Sequence, residues 1–324
     1  MLSNILKNNL PVSVLSAILF LTISFFLKIP FNETTPQSAN GILLFFLQNA
    51  NGIRIINLSL SFVFCLATCL LLHYSISRTE TLSKVNYFPL FISSLLISES
   101  LLFFDLHPGI ISNFLILLGI HRILASYRLE AAKGPLFDGG FCISLAILVY
   151  FPSVAMLPLV FIAIGILRPF VWREWISALI GVLTPPSFLI ALLFITGNEH
   201  LINRFEINSL FSFNPIIKDF KIVQFILLSV LLTIFFMVIM SRIGKGSQGR
   251  KIRQQKNIQI LFFWTFLGLV TFFIDSPFNT SVPVILVAPF SILIGEWLGN
   301  FKKEYQSDLI ILCLITALIF VLLR

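Results

Sequence analysis

Eleven apolar runs, most of them close to the length needed to cross about 30 Å of hydrocarbon, constrain this chain more than any motif in it. They are Pro11 to Ile29, Ile53 to Leu72, Phe88 to Phe104, Ile110 to Leu124, Leu136 to Val149, Ser153 to Leu167, Trp175 to Ile195, Ile222 to Met240, Ile258 to Ile274, Val282 to Leu298, and Leu309 to Leu323. With no water in a bilayer core, each backbone N–H and C=O must find a partner inside the protein, which a single apolar segment achieves only as a helix. The expected fold class is all-α: a polytopic transmembrane helix bundle of about eleven spans. The count ranges from about ten to twelve, because the fourth, fifth and sixth runs hold only about 15 residues each and are short enough to be buried or re-entrant. Composition agrees, since 11% of residues are charged and 57% hydrophobic, against about a quarter charged in a soluble chain.

The first run follows a short segment with one base, Lys7, and no small-residue cleavage site, so it reads as an uncleaved signal anchor. A cytoplasmic amino terminus puts on the inner side Lys7; Arg78 and Lys84; Arg122, Arg128 and Lys133; Arg168 and Arg173; Arg242, Lys245, Arg250, Lys251, Arg253 and Lys256; and Lys302 with Lys303. These are 16 of the 22 basic residues, the bias expected of inner loops. The outer side then holds Glu33, Glu99, Asp105, Glu199, Glu206, Asp219 and Asp275, with His107 and His200. The longest connections are Pro30 to Gly52 and Thr196 to Lys221 outside, and Ser241 to Asn257 inside. None can bury an independent core, so residues 1–324 are expected to form one membrane domain. Within the first outer loop, Gly41 to Asn49 has an apolar side and suits a helix lying at the interface.

All four cysteines, Cys65, Cys69, Cys142 and Cys313, fall inside apolar runs, where they act as small hydrophobes. Cys65 and Cys69 share a helix face, but no His, Asp or further Cys stands beside them, so packing is preferred to a metal site. The segment Arg168-Pro-Phe-Val-Trp172-Arg173-Glu174-Trp175 joins two apolar runs on the inner side. Trp belongs at headgroup level and Arg pairs with lipid phosphate, so Arg168, Trp172, Arg173 and Trp175 are read as a membrane-interface anchor. Arg242 to Lys256 carries six bases and no acid. Its Gly-Lys-Gly-Ser lacks the spacing of a phosphate loop, and its place between two spans favours anionic lipid over nucleic acid. Pro185-Pro186 interrupt the seventh run, and Pro277, Pro283 and Pro289 lead into the tenth. They are read as kinks, with the broken helices of a transporter as the alternative.

Carboxylates near membrane depth are costly to desolvate and are candidate functional groups. Glu99-Ser-Leu-Leu-Phe-Phe-Asp105-Leu-His107-Pro108 sets two acids and a histidine between two runs, and Glu33 lies just past the first span. Packed spans could bring Glu33, Asp105 and His107 to one outer cleft. There a carboxylate could act as general base toward a hydroxyl or hold a divalent cation against phosphate oxygens. Glu33, Asp105 and His107 are the catalytic candidates, and Glu99 and His200 the substrate-binding ones. The residues themselves name no metal or cofactor; a divalent cation is compatible with them.

These elements resemble the GT-C type of membrane glycosyltransferase over residues 1–195: a cytoplasmic amino terminus, a first outer loop with an acid and an interfacial helix, a short acidic second outer loop, and the tight hairpin Phe137 to Pro158. That resemblance implies a GT-C-like core in the first seven spans, followed by the outer loop 196–221 and a four-helix extension over 222–324 with its basic inner loop 241–257. It also implies sugar transfer from a polyprenyl-phosphate donor to an acceptor on the outer face. Glu33 stands alone where such enzymes often carry an acidic pair, and the turn Tyr150-Phe151-Pro152 lacks their usual basic residue. The Arg168 to Trp175 segment and Leu136-Phe-Asp-Gly-Gly140 more closely resemble a family of bacterial multispanning inner-membrane proteins without assigned activity. Three functions are compatible with the residues: a GT-C-like transferase, a non-catalytic envelope-assembly scaffold with a protein partner, and a gradient-driven transporter. All three imply membrane lipid as a partner and the bacterial inner membrane as the location.

Overall fold

The computed structural model describes residues 9–28, 54–82, 86–103, 108–197, 252–274, 284–299 and 305–312. The described residues are helical throughout, with no strand among them. In chain order the helices are α1 (Leu10–Lys28), α2 (Arg54–Thr79), α3 (Phe88–Phe103), α4 (Pro108–Ala125), α5 (Lys133–Val149), α6 (Leu157–Leu167), α7 (Trp172–Ile195), α8 (Ile252–Ile274) and α9 (Val287–Gly299). A 3-10 turn, Phe151–Met156, precedes α6, and a second, Val284–Leu286, precedes α9. Among the described residues three segments are long and apolar enough to cross a membrane: Leu58–Thr79, Pro108–Ala125 and Trp172–Ile195. Pro11–Phe26, Phe88–Ser98, Phe151–Leu167 and Val284–Gly299 are shorter apolar helices. The run Ile222 to Met240, the greater part of Leu309 to Leu323, the interfacial segment Gly41 to Asn49 and Cys313 lie outside the described residues.

Lipid tails are as apolar as leucine, so helices in a membrane associate through close packing, and small residues let their backbones approach. The α4–α5–α7 layer is built this way. A Cβ added at Gly119 of α4 would come 2.9 Å from the carbonyl oxygen of Gly139 in α5. One added at Gly140 would come 2.5 Å from the carbonyl oxygen of Ala178 in α7, and Gly181 of α7 rests directly on the backbone of Phe137. Consecutive glycines of α5 thus face opposite neighbours, which is why Asp138-Gly139-Gly140 can sit between two helices.

Two larger apolar cores stand out among the described residues. One gathers Ile116, Ile120, Ile143, Leu159, Val160 and Trp264 from α4, α5, α6 and α8, with Met156 of the first 3-10 turn. The other joins α1, α3 and α9 through Leu21, Phe91, Ile97, Phe290 and Ile294. Gly295 of α9 lies against Pro89 of α3, and the Asn86 amide donates to the Gly295 carbonyl at 3.1 Å.

The fifth and sixth runs form an antiparallel hairpin. α5 ends where Tyr150 turns extended, with φ −138 and ψ 101. Pro152 then stands early in the 3-10 turn, where its missing N–H removes no helical hydrogen bond. The turn is held by the Ser112 and Ser153 hydroxyls, 2.6 Å apart and buried. The proline pair of the seventh run does not interrupt α7, which continues through Pro185 and Pro186. The Thr184 hydroxyl donates to the Ile180 carbonyl at 2.6 Å and Ser187 to the Thr184 carbonyl at 2.8 Å, while the carbonyls that the prolines leave without a helical donor are those of Gly181 and Val182.

Gly140→Val is expected to lower stability by about 1–3 kcal/mol through overpacking. Gly134→Ala, where an added Cβ meets nothing within 4 Å, should be neutral. Thermal midpoints of the two variants in detergent compare the sites directly.

Candidate functional site

The turns that carry bases converge on one end of the bundle. Asn257 of α8 donates to the Thr79 carbonyl at 3.0 Å, and Gln254 to that of Leu82 at 3.1 Å, so the start of α8 is tied to the end of α2. His121 near the end of α4 lies 3.0 Å from the Ser75 hydroxyl, with its ring tilted against Tyr74. Ser177 of α7 donates to the Lys133 carbonyl at the start of α5. Lys256 donates to the Leu167 carbonyl at the end of α6, at 3.1 Å. Arg78, Arg122, Arg128, Lys133, Arg168, Arg173, Arg253 and Lys256 therefore share this basic end.

Arg168 organises it. One Nη donates to the Ser126 carbonyl at 2.7 Å and the other to Leu129 at 2.8 Å, fixing the turn between α4 and α5. Its Nε lies 2.9 Å from Glu174 Oε2, as an ion pair off the hydrogen-bonding direction. The two side chains are only 11% and 7% exposed. Glu174 stands in the first turn of α7, where a negative charge also complements the helix dipole. By contrast, Arg122 and Asp138, 3.9 Å apart and about half exposed, form a surface pair of small consequence.

The Arg168 to Trp175 segment therefore divides into two parts. Arg168 and Glu174 turn inward as a brace. Trp175 is half-buried, its ring 5.9 Å from Phe161 and 5.3 Å from Phe170. Phe170, Trp172 and Arg173 face outward, with Phe170 75% and Trp172 58% exposed and the Arg173 guanidinium 5.6 Å above the Trp172 ring.

Tyr127, in the turn after α4, is met by three cations: Arg128 at 5.3 Å, Arg253 at 5.6 Å and Lys256 at 5.7 Å from the ring centre. Arg128 holds φ 60, a left-handed conformation that costs a non-glycine residue about 1–2 kcal/mol. Nothing in the amino-acid order alone joins Tyr127 to Arg253, and only the docking of α8 brings them together.

The catalytic candidates Glu33, Asp105 and His107 and the substrate-binding candidate His200 lie outside the described residues. Glu99 belongs to α3. The helix ends that flank 104–107 are Phe103 and Pro108, away from the basic end. Close to them in α4, Ser112 bonds Ser153, and Asn113 is buried with its Oδ1 accepting no hydrogen bond. Among the described residues no three of His, Cys, Asp and Glu group as metal ligands. Cys65 and Cys69 are buried, and the Ser93 hydroxyl reaches Cys69 Sγ at 3.5 Å. A carboxylate that the sequence reading passed over is Glu296, 1% exposed in α9 beside Gly295. Its signal was present as an acid inside the run Val282 to Leu298.

The model of a family of unknown function, DUF6427, matches residues 38–324, and the chain belongs to that family. No curated protein and no solved structure matches it.

Glu174→Gln leaves the Arg168 charge buried without its counter-ion and is expected to cost about 3–5 kcal/mol. Asp138→Asn, at the exposed pair, should cost about 0–1 kcal/mol. Denaturant unfolding of both variants in detergent measures the contrast.

Proposed function

We propose that this member of DUF6427 is a multi-pass protein of the bacterial inner membrane, with about eleven spans and its basic end in the cytoplasm. The supporting observation is the convergence of bases from four separate connections on one end of the bundle, while the helix ends flanking 104–107 point to the other. In that orientation Glu33, Asp105 and His107 belong to outer connections. The activity we assign is GT-C-like transfer of sugar from a polyprenyl-phosphate donor to an acceptor on the outer face. Glu33 or Asp105 serves as base or cation ligand, and His107 partners phosphate or acid. A second reading is a non-catalytic scaffold in envelope assembly. It is favoured by the way Arg168, Glu174, Asn257 and Gln254 brace helices against one another.

Two measurements test these proposals. In a cysteine-free background, Thr35→Cys should react with a membrane-impermeant thiol reagent on intact cells, and Lys133→Cys only after permeabilisation. The reverse pattern overturns the orientation. Asp105→Asn and Glu33→Gln should each fail to complement a deletion strain while keeping normal abundance. Full complementation by both removes the transferase and leaves the scaffold.

A further inference from the structure

The three cations around Tyr127 come from two distant parts of the chain, the turn after α4 and the first turns of α8. Among the described residues Arg128, Arg253 and Lys256 form no ion pair. Arg168, which holds the same turn, already has Glu174. Glu130 is exposed and pairs with none of the three. Arg253 Nε is buried without a hydrogen-bond partner. Lys256 gives one N–H to Leu167 and has two more to offer. The first turn of α8 contains no acid, so the positive end of its dipole adds to the same field. Like charges gathered on one ring repel, and a ligand that carries several acceptor oxygens and a negative charge would relieve them.

We propose that Tyr127, Arg128, Arg253 and Lys256 form a binding site for a phosphate ester, placed to take the headgroup of an anionic phospholipid from the inner leaflet. Basic pockets between spans on the cytoplasmic side are suited to such headgroups. The leaflet assignment rests on the orientation proposed above; the phosphate chemistry does not. Guanidinium groups grip the phosphate oxygens as paired donors, the ammonium adds a point charge, and the Tyr127 ring holds the cations in place.

The test uses full-length protein, delipidated in neutral detergent. The probes are dioleoylphosphatidylglycerol, dioleoylphosphatidylcholine, glycerol 3-phosphate and inorganic phosphate. Binding is read by native mass spectrometry and by the shift in thermal midpoint. Phosphatidylglycerol should bind and stabilise where phosphatidylcholine does not. At about 1 kcal/mol per base, Arg128→Gln should weaken it about 5-fold and Arg253→Gln with Lys256→Gln about 30-fold. Equal binding of the two lipids, or wild-type binding by folded variants, overturns the site. Glycerol 3-phosphate or inorganic phosphate binding as tightly as phosphatidylglycerol upholds the phosphate site and makes a soluble phosphate its source. Should the double variant not fold, Arg128→Gln, altered only at an exposed side chain, decides alone. Detergent binding is blind to sidedness, so a failure here is separable from a failure of the thiol-labelling result.

Discussion

Close backbone contact between α5 and its two neighbours is the constraint on which the rest of the bundle depends. In lipid no hydrophobic force pulls apolar helices together, so the contact must come from shape. Gly139 and Gly140 supply it on opposite sides of α5, with Gly119 and Gly181 completing the two interfaces. Once α4, α5 and α7 are locked, the hairpin through Tyr150 delivers α6 into the centre. There Leu159, Val160, Ala163 and Ile164 are fully buried. α7 stays at the edge, exposing Leu179, Ile180, Leu183 and Phe188, as expected of a helix whose outer face meets lipid.

That layer also sets the charge distribution. Each antiparallel return brings the next turn back to the same end, so bases separated along the chain become neighbours in space. Asn257, Gln254 and Lys256 then use backbone carbonyls at the ends of α2 and α6 as acceptors. Those carbonyls lie in last turns that have no helical partner of their own. Polar side chains at this end thus satisfy helix ends and set the angle of α8 together.

Helix positions were largely legible in the sequence because apolar runs of span length have one conformation open to them. Even the short fifth and sixth runs matched helices, joined by the turn that Tyr150-Phe-Pro152 marks. The proline pair does not end the seventh run, since α7 continues through Pro185 and Pro186. Charge type was legible, but charge partners were not. Arg168 and Trp172 stand four residues apart in one segment, yet one is a buried brace and the other faces out. Residue order cannot state which carbonyls a turn will leave within reach of a guanidinium. The Tyr127 cluster was invisible for the same reason, since its members meet only through the docking of α8.

The Arg168–Glu174 pair shows why a brace of this kind sits where it does. Removing both ions from water costs several kcal/mol each, and a buried pair often does no more than break even against an apolar substitute. Its contribution is therefore geometric. The guanidinium spans from Ser126 and Leu129 to the first turn of α7, and so fixes the angle at which α7 leaves α6. That angle leaves Phe170 and Trp172, at the start of α7, exposed. The same guanidinium holds the turn that carries Tyr127 and Arg128, so Arg253 and Lys256 of α8 dock on a ring whose turn is already braced.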